Sequence, residues 1–196
     1  MRVVLPKGID YTLYKGQSGM STKDWGPDAW SFLFTSIMGR YPLKVSKHNK
    51  DHVSVRKHFK HLLVSLKDIL PCVFCRNSFK SFLKELPIEP FLSGRLELMY
   101  WLYLMKDKVN NKLIAQEQEC LNDEKERLKN LYYTRRISKQ EYHDKLSTFK
   151  KMTFCTQPSP PFKEILDKYE QYRAVCSKKA KTCSRPTSNI ILSKKT

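Results

Sequence analysis

The chain is organised around the stretch Pro71-Cys72-Val73-Phe74-Cys75, a Cys-x-x-Cys that enters a helical pattern. Two thiols at this spacing can close a small disulfide ring, and a helix N-terminus lowers the pKa of a thiol toward the thiolate form. The thiolate is the form that attacks or leaves in disulfide exchange. Two cysteines at this spacing also make half of a zinc site, so the motif alone leaves redox and metal chemistry open.

Helical periodicity surrounds this motif on both sides. Apolar residues recur at intervals of three and four through four segments, which prolines and glycines separate. Helix one follows the start signals at residues 21–24 and ends at Gly39. Helix two ends before Pro71, where helix three begins, and helix four spans about Gly94 to Leu113. No segment alternates as a strand does, so the sequence predicts an all-α fold.

The region after helix four has a different character. Charged and polar residues dominate residues 114–150, and Ser138-Lys139-Gln140-Glu141 has the form of a capping box. This composition predicts a helical insertion outside the core, before a closing helix at about residues 161–175. The prediction is an irregular N-terminal segment over residues 1–20 and a four-helix core over residues 21–113. The insertion follows over residues 114–157, then the closing helix of the core over 158–176 and a basic flexible tail over 177–196.

Composition limits the class of protein. The 196 residues are 40% apolar, which predicts a globular domain, and no run of about 20 apolar residues forms a transmembrane helix. The opening residues are too short an apolar run for a secretory signal, so we expect a soluble protein kept in a cytosol. The formal charge of +18 suits a nucleic acid, an acidic partner or a virion interior, although lysine-rich surfaces also serve solubility alone.

The helical setting separates the alternatives for the cysteine pair. A thioredoxin-like domain needs strands upstream of the pair, and the sequence predicts none. A zinc site needs two further ligands, usually a second close pair, whereas the other cysteines are scattered at positions 120, 155, 176 and 183. A redox disulfide is therefore favoured over a zinc site and over cysteines that only pack in the core, but spacing alone leaves all three open.

Four motifs follow one another in a fixed order along the chain. They are Trp25-Gly26-Pro27-Asp28-Ala29-Trp30, then Cys72-Val73-Phe74-Cys75 with Ser78-Phe79, then Val109-Asn110-Asn111-Lys112-Leu113, and last Pro158-Ser159-Pro160-Pro161-Phe162 with Tyr169 to Ala174. In this order and spacing the chain resembles the FAD-dependent Erv/ALR sulfhydryl oxidases, and its closing helix is similar to that of their large-DNA-virus branch. The resemblance implies a four-helix bundle with a short fifth helix, interrupted here by the insertion.

The chain also departs from the family pattern at four places. The family's His-Asn pair falls on Lys106-Asp107, and its histidine after the Cys-x-x-Cys falls on Ser78. A histidine often found in helix one falls on Phe34, and the first cysteine of a structural disulfide falls on Tyr103. These departures concern individual flavin contacts and leave the redox pair intact.

The resemblance implies a site that combines the two cysteines with FAD. Cys72, at the exposed helix terminus, is the expected partner of a substrate dithiol. Cys75, one turn inside the helix, is expected to face the flavin, whose electrons pass to O2 and give hydrogen peroxide. Aromatic walls and cations are expected to hold the cofactor, although a tryptophan on an apolar stripe is as typical of a core. The expected cofactor-binding residues are Trp25, Gly26, Trp30, Phe34, Tyr103, Lys106, Asp107, Val109, Asn110 and Lys112, and no metal ligands are expected.

The sequence leaves the outer cysteines and the partners open. Cys176 and Cys183 suit a relay pair, a Cys155–Cys176 staple is an alternative, and free thiols are a third. The resemblance implies protein dithiol substrates, a homodimer formed by the first helices, and a role in virion protein maturation in the host cytoplasm or the virion. The rival classes are a basic helical protein that binds zinc or nucleic acid, and a scaffold that has lost its flavin.

Overall fold

The apolar stripes of the sequence fold into helices. The computed structural model describes residues 5–16, 19–153, 156–177 and 182–184. These residues form six α-helices, two short 3-10 turns and two three-residue strands. The helices are α1 Thr22–Arg40, α2 Lys50–Ile69, α3 Val73–Glu85, α4 Arg95–Tyr133, α5 Lys139–Thr153 and α6 Phe162–Glu170, and the strands are β1 Val175–Ser177 and β2 Thr182–Ser184.

One hydrophobic cluster joins the first four helices to α6. Helix α1 packs on α4, α2 packs on α3, α3 packs on α4, and α6 contacts both α1 and α4. Ile37, Leu63, Leu98, Trp101 and Met105 are fully buried in this cluster. The prediction of an all-α bundle with a short closing helix is therefore confirmed.

Buried polar groups fasten the connection between α3 and α4 to the bundle. The Tyr41 hydroxyl donates to the Leu92 carbonyl at 2.9 Å, and Arg95 Nε donates to the Tyr41 carbonyl at 2.8 Å. Trp101 Nε1 donates to the Leu86 carbonyl at 3.1 Å. Each bond satisfies a polar atom that burial would otherwise leave without a partner. The start of α4 is thereby fixed beside the end of α3.

Helix α4 corrects the sequence prediction most strongly. It does not end at Leu113 but continues to Tyr133, because residues 95–133 contain neither glycine nor proline and are rich in helix formers. The polar composition beyond residue 113 therefore indicates that this part of the helix is exposed to solvent, and it does not mark the end of the helix. Helix α5 packs back on α4. The predicted capping box at its start is confirmed: Glu141 accepts from the Ser138 amide, and the Glu141 amide donates to Ser138 Oγ.

Three smaller predictions also need correction. Helix α3 begins at Val73 and not at Pro71, because Leu70 is extended before the proline and Cys72 is the N-cap. Helix α6 ends at Glu170, short of the predicted Val175. Strands β1 and β2 form an antiparallel pair where no strand was predicted, and most of the predicted tail lies outside the described residues. Of the helices described, none is both long and apolar enough to cross a membrane.

Candidate functional site

The redox pair sits at the N-terminus of α3. Cys72 is the N-cap residue, with φ −117° and ψ 126°, and its Sγ accepts the Cys75 amide at 3.3 Å. Both cysteines are free thiols, and both are partly buried. The unpaired amides and the dipole of the helix N-terminus favour negative charge at this position. A thiolate at Cys72 is thus held by the backbone of the helix that it caps.

The two thiols differ in acidity. Burial opposes ionisation of Cys72, but hydrogen bonds from the Cys75 thiol and from the Cys75 and Phe74 amides, together with the Arg76 charge, leave its pKa below the ordinary value. Burial raises the pKa of Cys75 to about 11, and the neighbouring Cys72 adds to this rise, while the charge of Lys112 opposes it. The first proton that the pair loses therefore comes from Cys72, and Cys75 remains protonated.

Arg76 connects the redox loop to α2. Its Nη1 donates to the carbonyl of Leu70 at 2.5 Å, and its charge also favours the Cys72 thiolate. One guanidinium thus fixes the loop and stabilises the thiolate. Sequence reasoning missed Arg76, although a cation directly after a Cys-x-x-Cys is a readable signal.

Lys112 approaches the same helix from α4. Its Nζ donates to Ser78 Oγ, and the Ser78 hydroxyl donates in turn to the Phe74 carbonyl at 2.8 Å. The Lys112 charge is close enough to Cys75 to lower the pKa of that thiol against the effect of burial. Lys112 therefore lies beside the Cys75 sulfur, whereas the sequence predicted it as a residue that binds the cofactor.

Aromatic rings from α1 and α6 meet at the bundle end. Phe34 is buried and stacks on Tyr169, with ring centroids 5.0 Å apart and planes 20° apart. Trp30 lies 6.5 Å from Phe34. The sequence assigned Trp30 and Phe34 to the cofactor site but named Tyr169 only as part of the closing-helix motif. Only the packing of α6 on α1 shows that Tyr169 belongs to this group.

A second aromatic group joins α4 to α6. Tyr103 lies 6.1 Å from Tyr100 and 5.3 Å from Phe162, between ring centroids. Tyr100 and Phe162 meet edge to face at 5.0 Å. Tyr103 was predicted as a site residue, whereas Tyr100 and Phe162 were missed as members of it. Together these rings offer faces and edges on which a planar aromatic group can lie.

Two cations, Lys106 of α4 and Lys168 of α6, are close enough for their charges to interact, and Lys168 Nζ lies 5.5 Å from the Tyr169 ring centroid. Burial lowers the pKa of Lys106, the charge of Lys168 lowers it further, and Asp107 acts in the opposite sense. Among the described residues, no carboxylate oxygen lies within 4.0 Å of the Lys106 ammonium. A half-buried ammonium facing a second one is relieved by an anion. Aromatic faces beside two such cations suit a dinucleotide with a pyrophosphate, so these residues fit FAD.

The other predicted cofactor residues are placed differently. Trp25 Nε1 donates to the Met20 carbonyl at 3.3 Å, so its indole is engaged with the N-terminal segment. Gly26 faces open space, and Val109 is half-buried. The Asn110 amide donates to Ser159 Oγ at 2.9 Å. Asp107 accepts from the Asn111 amide at 3.0 Å, and it does not pair with Lys106.

The cysteines outside the pair fall into two classes. Cys120 is free and exposed on the outer part of α4. Cys183 is disulfide-bonded, so the free-thiol alternative is wrong for this residue. The backbone register places Cys176 directly opposite Cys183 across the strand pair. Cys155, the other end of the alternative staple, lies outside the described residues.

Metal ligation was the rival chemistry for the cysteines. In the ranges that the structure covers, no group of three or more His, Cys, Asp or Glu side chains is arranged to hold a metal ion.

Comparison with known proteins places this geometry in a family. The family model described as the Erv1 / Alr family matches residues 27–132, just over half of the chain. The FAD-linked sulfhydryl oxidase ERV1 of Arabidopsis thaliana is 28% identical over 99 residues, which are 50% of this chain and 47% of the plant protein. This chain thus spans about half the length of the curated relative that it matches. A crystal structure of the yeast Erv1 core is 24% identical, with a TM-score of 0.41, and the match covers 48% of this chain and 72% of that one.

Proposed function

The chain belongs to the Erv1/Alr family, and on that premise we propose that it is an FAD-linked sulfhydryl oxidase. The reaction converts a protein dithiol to a disulfide and delivers two electrons to O2. The observation that carries this proposal is the asymmetric pair at the start of α3, with an ionisable Cys72 and a protonated, more buried Cys75. In disulfide exchange the thiol of lower pKa leaves more readily, so the lowered pKa of Cys72 favours release of its thiolate when the substrate disulfide forms.

The exchange step starts from a disulfide between Cys72 and Cys75. A substrate thiolate attacks Sγ of Cys72, which forms a mixed disulfide and releases Cys75 as the leaving thiolate. The second substrate thiolate then attacks the substrate sulfur of the mixed disulfide, forms the substrate disulfide and releases the Cys72 thiolate. The α3 N-terminus and Arg76 stabilise the charge on Cys72, and Lys112 stabilises the charge on Cys75 while that sulfur is a thiolate.

Oxidation of the reduced pair needs an electron acceptor. The chemistry that FAD supplies when bound is acceptance of this electron pair and its transfer to O2, which gives hydrogen peroxide. Trp30 and Tyr103 would contact its rings, whereas Phe34, also expected from the sequence, is buried beneath Tyr169. Lys106 with Lys168 would neutralise its pyrophosphate. Lys112, next to Cys75, would complete the positive end of the site.

The first test is the absorption spectrum of the purified full chain. An oxidised flavin gives a band at about 450 nm that belongs to the cofactor. A yellow protein that releases FAD on unfolding is the expected result. A colourless protein that carries zinc supports the rival metal-binding class, and a colourless, metal-free protein supports the scaffold.

The second test measures oxygen uptake with dithiothreitol as the dithiol. Cys75→Ser removes the leaving thiolate, so uptake is expected to fall to background. Cys120→Ser, a substitution in the outer part of α4, is the matched control and is expected to keep the wild-type rate. Undiminished uptake in Cys75→Ser would refute the assignment of the redox pair.

The biological setting extends the same proposal. The resemblance to the large-DNA-virus branch and the charge of +18 support action on virion proteins, in the host cytoplasm or the virion. Exposed apolar side chains on α1 and α2, at Phe32 and Val53, support a homodimer through these helices. Sedimentation of the wild type and of a Phe32→Ser, Val53→Ser double variant tests the dimer. A wild type that sediments as a monomer would refute it.

A relay function of Cys183 is a further part of the proposal. Its disulfide and the position of Cys176 opposite it support a second redox pair that passes electrons from bulky substrates to Cys72. Cys183→Ser is then expected to slow oxidation of a reduced protein much more than oxidation of dithiothreitol. An equal effect on both substrates would reject the relay.

A further inference from the structure

Four large apolar side chains that are near Cys72 in sequence, or are tied by backbone to its neighbour, are exposed at the protein surface. Ile69 and Val73 are 63% and 49% exposed, Phe74 is 74% exposed, and Met20 is 69% exposed. Phe74 stands between the two cysteines in sequence, yet the core cluster does not use it. Exposed apolar groups gathered at a reactive sulfur are a costly arrangement for the folded chain alone, and such patches mark interaction sites.

Met20 reaches this surface because the N-terminal segment is fastened to the redox loop. The Met20 amide donates to the Pro71 carbonyl at 3.3 Å, and the Met20 carbonyl accepts from Trp25 Nε1, also at 3.3 Å. Gly19 lies so close that a Cβ on it would stand 2.7 Å from the Pro71 carbonyl oxygen and 3.4 Å from Cys72 Cα. A glycine is required at this contact, since a Cβ at 2.7 Å from backbone oxygen cannot be accommodated without displacement. Residues far apart in sequence thus build one surface.

We propose that Met20, Ile69, Val73 and Phe74 form the docking surface for the polypeptide substrate, and that this surface selects cysteines flanked by apolar side chains. The proposal rests on the proposed function of Cys72 and names its substrate class. Apolar side chains next to a reduced cysteine are accessible in a protein that has not finished folding. The surface therefore favours unfinished chains over folded proteins with polar, exposed thiols.

The position of this surface next to Cys72 indicates that its occupant is a substrate and not a permanent partner. Val73 directly follows Cys72 in the chain, and the Met20 amide is bonded to Pro71, the residue that precedes Cys72. A permanently seated partner would bar the sulfur from attack, whereas a substrate must cover the same surface in order to react. In an extended chain consecutive residues are about 3.3 Å apart, so side chains one or two positions from a substrate cysteine reach these four residues while its sulfur meets Cys72.

The test uses a reaction that needs no flavin. In the full chain carrying Cys75→Ser and Cys120→Ser, which removes the exposed free thiol of α4, Cys72 is first converted to a mixed disulfide with thionitrobenzoate. An added peptide thiolate attacks Cys72 Sγ, forms a peptide–Cys72 disulfide and expels the coloured thionitrobenzoate, whose absorbance gives the rate. Two peptides of equal charge are compared, one with Leu and Phe beside its cysteine and one with Ser and Gly there.

The apolar peptide is expected to react about tenfold faster than the polar peptide, since about 1.4 kcal/mol of apolar contact is worth a factor of ten. Phe74→Ser is expected to remove most of this preference. Tyr133→Ser removes an equally exposed ring at the far end of α4 and is expected to retain it. Equal rates for the two peptides, or a preference that survives in Phe74→Ser, would overturn the proposal.

Two glycine variants test how the surface is built. Gly19→Val is expected to displace the N-terminal segment and reduce the preference about threefold. Gly16→Val is the control, because a Cβ on Gly16 meets no atom within 4 Å. If Gly19→Val keeps the full preference for the apolar peptide, Met20 is not part of the docking surface. Failure of the oxidase proposal is separate: it appears as absent oxygen uptake with dithiothreitol, which these exchange rates do not measure.

Discussion

The two halves of α4 are one continuous helix in two different environments. Residues 95–113 bury Leu98, Trp101 and Met105 against the bundle, and they carry Lys112 toward the redox pair. In the half beyond them only Leu121 and Leu128 are buried, and that half packs with α5. Local propensity sets how far a helix runs, whereas burial sets which part of it belongs to the core. The site therefore uses only the first half.

The largest expected effect comes from Trp101 in the first half. Its side chain is fully buried and its indole donates to the Leu86 carbonyl. Trp101→Ala leaves a cavity and an unpaired carbonyl, so the free energy of unfolding is expected to fall by about 3–5 kcal/mol. Urea unfolding followed by circular dichroism measures it, with the exposed Tyr133→Ala as the control. A loss below about 1 kcal/mol would mean that the bundle core does not depend on this helix.

The next largest effect is a difference in reactivity between Cys72 and Cys75. Because the pKa of Cys72 lies below the ordinary thiol value while that of Cys75 is about 11, at pH 8 iodoacetamide is expected to modify Cys72 about a hundredfold faster. Mass spectrometry of peptides from the reduced protein measures both rates, with exposed Cys120 as an internal reference for access.

The pKa shifts of the two cysteines also predict how the stability of the folded protein changes with pH. The pKa of Cys75 is raised on folding. Its contribution to the stability of the folded protein is therefore fully present below about pH 9 and is lost as the pH rises toward 11. The pKa of Cys72 is lowered, so its contribution is present above the unfolded pKa and is lost as pH falls through the folded one. Equal alkylation rates at pH 8 would contradict both statements.

A smaller effect is expected from Leu128 in the second half of α4. Leu128 is fully buried, but against α5 and not in the main cluster. Leu128→Ala is expected to cost about 2 kcal/mol, at the low end for such a change, and to loosen the α4–α5 hairpin first. Hydrogen exchange is expected to speed up in α5 while α2 and α3 keep their protection. Equal acceleration in all three helices would show that the halves unfold as one unit.

The smallest effect concerns the cation pair. Lys106→Met removes a half-buried ammonium near Lys168, so FAD is expected to bind about tenfold more weakly. Fluorescence titration of the apoprotein with FAD at two salt concentrations measures the affinity. Lys125→Met, in the second half of α4, supplies the control. An unchanged affinity in Lys106→Met would place the pyrophosphate elsewhere.

Much of the site was predictable because its signals are local. Spacing within a single helix defines each of these signals: the Cys-x-x-Cys at the start of α3, Lys112 in α4, and Trp30 with Phe34 in α1. Arg76, Tyr169 and Phe162 were missed as site residues because their roles come from contacts with other elements. Trp25 shows the opposite case, since its motif suggested a flavin wall while its indole bonds to Met20.

The sequence by itself determined the helices that build the bundle, the placement of the redox pair at a helix start, and the hairpin signal at Ser138 and Glu141, because periodicity and capping act over a few residues. The tertiary structure decided that α4 continues past Leu113, that Tyr169 covers Phe34, that Lys106 faces Lys168, and that Gly19 fits against Pro71. These features join residues distant in sequence. Their energies come from burial and charge at contacts that no local pattern specifies.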